Sequence, residues 1–168
     1  MNIDIWIQVG ALITTAIILF LFIPKEKKRE AQLVFLFKLL ITWFVGLIVV
    51  ELRLIEYPIR FFPYATRSSF TFEYFVYPAI CVVFNIRYPV GKGWFRGFLH
   101  YSLFCSIMTG IEVLCLNYTH IIVYLHWTWY VTWITLFVTF FISRKYYLWF
   151  FSYNKYKEGE SLIDRLMR

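Results

Sequence analysis

At 168 residues, 61% of them hydrophobic and only 16% charged, the chain carries more apolar side chain than one soluble core of this length can hide. That excludes an ordinary soluble domain and makes lipid the solvent for the excess. The aromatic share of 23% suits belts of Trp and Tyr at water–lipid boundaries, and the net charge of +7 reads as Lys and Arg gathered in cytoplasmic loops rather than as a nucleic-acid surface.

A helix needs about 20 mostly apolar residues to cross a hydrocarbon core about 30 Å thick. The first candidate, 3–23, stops at Pro24 and is followed by Lys25, Lys27, Lys28 and Arg29. No basic residue precedes its apolar run and no A-x-A-like site follows it, so it reads as a span and not as a cleaved signal peptide. The second, 31–50, is interrupted only by Lys38, whose long stem is expected to snorkel to the cytoplasmic headgroups.

The segment 51–69 mixes charges with large aromatics. Leu52, Ile55, Ile59 and Phe62 recur at helical spacing, and so do Arg53, Glu56 and Arg60, which predicts an interfacial amphipathic helix bent near Pro58 and ended by Pro63. Glu56 and Arg60 stand at i, i+4 and can pair on its surface.

The third span, 70–86, is the shortest and least apolar, because Glu73, Pro78 and Asn85 lie within it. Pro78 should bend the helix and free a carbonyl for a neighbouring helix or a water to satisfy. The fourth span, 95–116, contains His100 and Glu112, and the fifth, 121–142, contains His126. Only Asn117, Tyr118, Thr119 and His120 separate them, the spacing of a tight antiparallel hairpin.

The tail 146–168 interleaves aromatics with basic residues, a composition that anchors to anionic inner-leaflet lipids at about 1 kcal/mol per Lys or Arg. The three cysteines, Cys81, Cys105 and Cys115, lie inside apolar runs without C-x-x-C spacing and read as small buried hydrophobes.

Orientation follows from charge. With the N-terminus outside, the cytoplasmic basic residues are those at 25, 27, 28 and 29, then Arg87, Lys92 and Arg96, then Arg144, Lys145, Lys155, Lys157, Arg165 and Arg168, against Arg53, Arg60 and Arg67 outside. This asymmetry favours N-out and C-in. If 70–86 were re-entrant there would be four crossings, and positive charge would be divided between the two faces. The expected fold is therefore an all-α integral membrane bundle of five helices over 1–145, followed by a cytoplasmic tail.

Charges at membrane depth are costly, so they carry the functional information. Glu112 and His126 are each seven residues from the hairpin centre near 119, which puts them at similar depth and able to face each other. With Glu73, Glu56 and Arg60 they form the candidate polar cluster of the outer half, either as an outward-facing pocket or as interhelical ties that lock the bundle. His126, Trp129, Tyr130 and Trp133 share a helix face that could line a cavity, although such a stripe is more often packing. Neither zinc-ligand spacing, a phosphate loop nor a nucleophile elbow is present, so no cofactor, metal or catalytic residue is assigned.

The stretches SSFTFEYFVYPAI and GIEVLCLNYTHIIVYLHWTWYVTWI, the latter holding Glu112 and Trp127, resemble small uncharacterised multi-pass membrane proteins of spore-forming Bacillus and Clostridium relatives, in layout over about residues 31–145. The resemblance implies a bacterial plasma-membrane protein and carries no activity to any residue. Three functions are compatible with this reading. The first is a structural or interaction component of a membrane or envelope process, with a homo-oligomer or another membrane protein as partner. The second is a small ion, proton or solute transporter or channel, and the third is a membrane-embedded lipid enzyme.

Overall fold

The computed structural model describes the backbone of residues 3–166 and the side chains of residues 3–152. Its helices are α1 (Ile3–Phe22), α2 (Lys28–Glu51, preceded by a 3-10 turn), α3 (Tyr77–Ile86, preceded without a break by a π-helical segment Phe70–Val76), α4 (Trp94–Tyr118) and α5 (Trp129–Leu166). Three of these, α1, α2 with its leading turn, and α4, are long and apolar enough to cross a membrane.

The burial pattern is the reverse of a soluble protein's. The residues α1 buries are Asp4, Gln8 and Thr15, while Ile13, Ile17, Phe20 and Leu21 on the same helix are all more than half exposed. α4 repeats the arrangement: Tyr101, Cys105, Met108 and Glu112 recur every three or four residues on the inner face, and Leu99, Leu103, Ile107 and Leu114 face outward. A polar interior inside an apolar coat is stable only where the surroundings are lipid.

α3 is the hub. It packs against α1, α2 and α5, and every residue from Cys81 to Asn85 is buried. Phe84 is fully buried, with the rings of Phe140, Tyr101 and His100 between 4.7 and 4.9 Å from its own. The polar residues of 70–86 face protein: Glu73 and Asn85 are both buried inside the bundle and meet no hydrocarbon.

Two connections, 52–69 and 119–128, cap one end of the bundle, called the upper end below. Gln8 Nε2 donates to Ile59 O at 2.9 Å there, and the His120 amide donates to Asp4 Oδ1 at 3.3 Å. The amphipathic helix expected over 51–69 is not formed. Ile55–Glu56 (β1) pairs antiparallel with Val123–Tyr124 (β2), Ile55 opposite Tyr124. α2 ends in a Schellman motif instead: Leu54 N–H bonds Val49 O, Arg53 N–H bonds Val50 O, and Arg53 takes the left-handed conformation at φ 52°. That reversal stops the helix before the spacing of Arg53, Glu56 and Arg60 can act.

The tight hairpin expected between the fourth and fifth spans is also replaced. Residues 119–128 fold back over the bundle, burying Ile121 and Ile122, and α5 starts at Trp129 rather than near 121. α4 and α5 remain packed neighbours.

At the lower end, Arg87 lies over the Phe22 ring at 5.4 Å, and Tyr147 OH donates to Glu30. Tyr146 stacks on Phe37 at 3.7 Å, so α5 packs along α2 beyond residue 142 with no break at the expected start of the tail. Side chains beyond Ser152 lie outside the described residues, and with them the tail cations Lys155, Lys157, Arg165 and Arg168.

Candidate functional site

Glu73 is placed by the π-helical segment. Ser69 caps the segment, its hydroxyl accepting from the Phe72 amide at 3.4 Å, and Tyr77 N–H reaches back five residues to Phe72 O. In that register the next donor, to Glu73 O, would be the amide of residue 78, which is proline and has none. The Thr42 hydroxyl on α2 stands in for the missing donor, its Oγ1 lying 2.7 Å from Glu73 O and 2.9 Å from Lys38 O of its own helix, with the shorter contact to Glu73. The carbonyl freed by Pro78 is thus satisfied by a neighbouring helix, as the sequence leads one to expect.

The Glu73 side chain turns into the bundle against Gly46 of α2, where a Cβ would overlap its carboxyl. It is 3% exposed, and its Oε2 is buried without a hydrogen-bond partner. An unpartnered buried carboxyl oxygen costs free energy unless something outside the chain satisfies it.

Glu112 sits on the inner face of α4. Tyr77 OH donates to its Oε2 at 2.7 Å, while Tyr124 OH and Thr132 Oγ1 reach Oε1, Thr132 at 2.8 Å. Trp127 Nε1 in turn donates to Thr132 Oγ1 at 2.7 Å. Donors from α3, β2 and α5 therefore converge on one carboxyl, all of them hydroxyls. The β1–β2 pairing makes this possible by carrying Tyr124 back over the bundle.

His126 does not take part. It is exposed, and its Nδ1 lies 3.4 Å from Arg53 O. The seven-residue symmetry about position 119 fails because residues 121–128 are not helical, so equal sequence distance is not equal depth.

Glu73 and Glu112 line one cavity of about 80 Å³ between α2 and α5, together with Thr42, Gly46, Thr132 and Thr139. A second cavity, of about 260 Å³, lies between α1 and α4 and shares Tyr57, Tyr77 and Glu112 with the first. Tyr57 is the buried wall between them. Burial first, and the Glu73 and Glu112 carboxyls next, push its phenol well above its ordinary range. No Lys, Arg or His side chain lines either cavity among the described residues.

The nearest cation lies one hydroxyl away. Lys38 does not snorkel: it is fully buried, its Nζ donates to Thr139 Oγ1 at 2.5 Å, and it lies 4.6 Å from the centre of the Phe140 ring. Its inward turn accompanies the packing of α2 against α5, which sets Thr139 within reach.

Of the five residues singled out from the sequence, the structure therefore brings Glu73 and Glu112 together. Arg60 and Glu56 share a separate cleft on the upper surface, and His126 joins neither group. The expected Glu56–Arg60 pair is absent among the described residues. Arg60 instead donates to Tyr57 O, Pro63 O and Thr66 O and so holds its own loop together. Trp129 and Tyr130, from the aromatic stripe of the fifth span, are 60% and 52% exposed and belong to the lipid-facing coat. No group of metal-ligating side chains is found among the described residues.

The hydroxyls that complete the site had a legible signal. Thr128 just before α5 and Thr132, Thr135, Thr139 and Ser143 within it recur every three or four residues, and Thr132, Thr139 and Ser143 are buried. A hydroxyl stripe on an otherwise apolar helix marks the face turned to the bundle interior. No known protein family, curated protein or solved structure matches this chain.

Proposed function

We propose that the chain is a plasma-membrane protein of five crossings, N-out and C-in, and that the Glu73–Glu112 cavity binds a small cation, the proton first, in a transport or channel activity. The observation that carries this reading is the buried Glu73 Oε2, unpartnered among the described residues and beside a cavity that a second carboxyl lines and no described basic side chain enters. A proton or small cation supplies what the chain withholds there.

The third crossing is supported by register. Thr71 Oγ1 donates to Gln8 Oε1 near the start of α1, and Arg87 meets Phe22 at its end, so the helical run from Phe70 to Ile86 matches the length of α1 from Gln8 to Phe22. The connections 23–27 and 87–93 lie at the end opposite Arg53, Arg60 and Arg67, in keeping with the positive-inside rule.

The test is flux. Whole protein reconstituted in liposomes loaded with a pH-sensitive dye should dissipate an imposed proton gradient, and Glu73→Gln or Glu112→Gln should slow the decay. Absence of flux for protons, monovalent cations and simple osmolytes in folded protein overturns the reading.

A second reading, a structural or interaction component of an envelope process, is favoured by the ties Gln8–Thr71, Asp4–His120 and Lys38–Thr139, which lock α1, α2 and α5 to the rest. A native-detergent pull-down that returns a monomer without partners argues against it.

A further inference from the structure

The upper surface carries a second polar site, separate from the carboxyl cavity. Arg53, Arg60 and Arg67 line one cleft of about 360 Å³ together with Glu56, and Val50, Ile55 and Leu125 are its apolar lining. These are the three basic residues of the 52–69 connection, on the face where positive charge is scarcest.

Three guanidiniums along one cleft call for compensation, and the chain provides little. Glu56 forms no ion pair with any of them among the described residues, and Arg53 and Arg67 make no side-chain hydrogen bond there. Arg60 uses three N–H groups on Tyr57 O, Pro63 O and Thr66 O, which fixes the guanidinium while leaving its charge unneutralised and two N–H groups free.

The backbone holds the other two in place. Arg53 occupies the left-handed position that closes the α2 Schellman motif, where glycine would fit without strain. Arg67 is followed directly by Ser68 and Ser69, both buried, the second capping the π-helical segment. All three charges therefore stand on ordered backbone beside a concavity.

We propose that this cleft binds a phosphate group, either free in solution or as the headgroup of an anionic lipid. The Arg60 guanidinium is held in place, and those of Arg53 and Arg67 are free to turn to a ligand. Planar guanidiniums match phosphate oxygens in bidentate geometry, and the apolar lining beside them suits the start of a lipid acyl chain. The site is independent of the cation cavity and stands or falls separately from it.

The test uses the full-length protein in nanodiscs. In phosphatidylcholine discs, saturable binding of inorganic phosphate is followed by phosphorus NMR line broadening. In discs mixed with phosphatidylglycerol, the lipid retained on the released protein is counted by native mass spectrometry. Retention of phosphatidylglycerol that inorganic phosphate competes away assigns the headgroup. Saturable phosphate binding with no lipid preference assigns the free anion.

In either case R53Q/R67Q should weaken binding by about tenfold or more, E56Q should strengthen it a few-fold, and rising salt should weaken it. Both substituted arginines are exposed, and R53K/R67K keeps the charge if the glutamine pair fails to fold. No saturation together with no lipid preference overturns the proposal, and so does binding that R53Q/R67Q leaves unchanged.

Discussion

Thr42 and Glu73 are joined through the backbone: the Thr42 hydroxyl lies 2.7 Å from Glu73 O, in the place the amide of residue 78 would fill were it not proline. This one bond ties α2 to the π-helical turn that aims the Glu73 carboxyl. Thr42→Val should therefore lower stability in detergent by about 1–2 kcal/mol, the cost of stranding a buried carbonyl. Pro78→Ala restores an amide at the vacant position, so adding it to Thr42→Val should recover part of the loss. A double-mutant cycle on thermal midpoints checks the coupling, and additive effects would count against the bond.

Gly46 and Glu73 make a second coupled pair. A methyl group at Gly46 meets the Glu73 carboxyl in a packed interior, where overpacking costs about 1–3 kcal/mol. Gly46→Ala should destabilise the protein by that order, and Gly46→Ala combined with Glu73→Ala should be less unstable than the sum of the two changes. Melting curves of the four proteins decide it.

Lys38 and Thr139 give a prediction of opposite signs. Thr139→Val removes the hydroxyl that receives the buried ammonium, leaving the charge beside the Phe140 ring without that hydrogen bond, so a loss of about 1.5–3 kcal/mol is expected. Lys38→Met keeps the apolar stem and discards the charge, and in the Thr139→Val background it should restore most of the stability. If Thr139→Val alone is neutral, Lys38 reaches other partners and the inward placement loses its support.

These couplings also mark what the sequence could and could not disclose. Apolar length identified α1, α2 and α4, because their outer faces meet the solvent that hydropathy measures. The run 70–86 is apolar but short, and its length, not its composition, sets it apart from the longer helices. Pro78 announced an orphan carbonyl, but only the packing of α2 named Thr42 as its donor. Spacing misled over 51–69, because nothing in periodicity reports that Arg53, a non-glycine, would adopt φ 52° and end the helix there. The Glu112–His126 pairing failed for a related reason: counting residues outward from position 119 assumes helix on both sides, and β2 occupies one of them. Glu112 itself was visible as an acid in an apolar run, and the hydroxyl stripe of α5 stands in the sequence beside the aromatic stripe of Trp129, Tyr130 and Trp133.

The Schellman position at Arg53 allows stability and binding to be separated. Left-handed backbone costs a β-carbon residue about 1 kcal/mol that glycine is spared, so Arg53→Gly should hold or raise the thermal midpoint. It also deletes one of the three guanidiniums of the upper cleft. A variant at least as stable as the parent that binds phosphate more weakly would mean that the arginine is kept at this strained position for its side chain. A variant that melts lower would instead mean that lost side-chain contacts and the greater freedom of the unfolded glycine chain together outweigh the relieved backbone. Thermal melts and phosphate titrations on the same preparations distinguish the two.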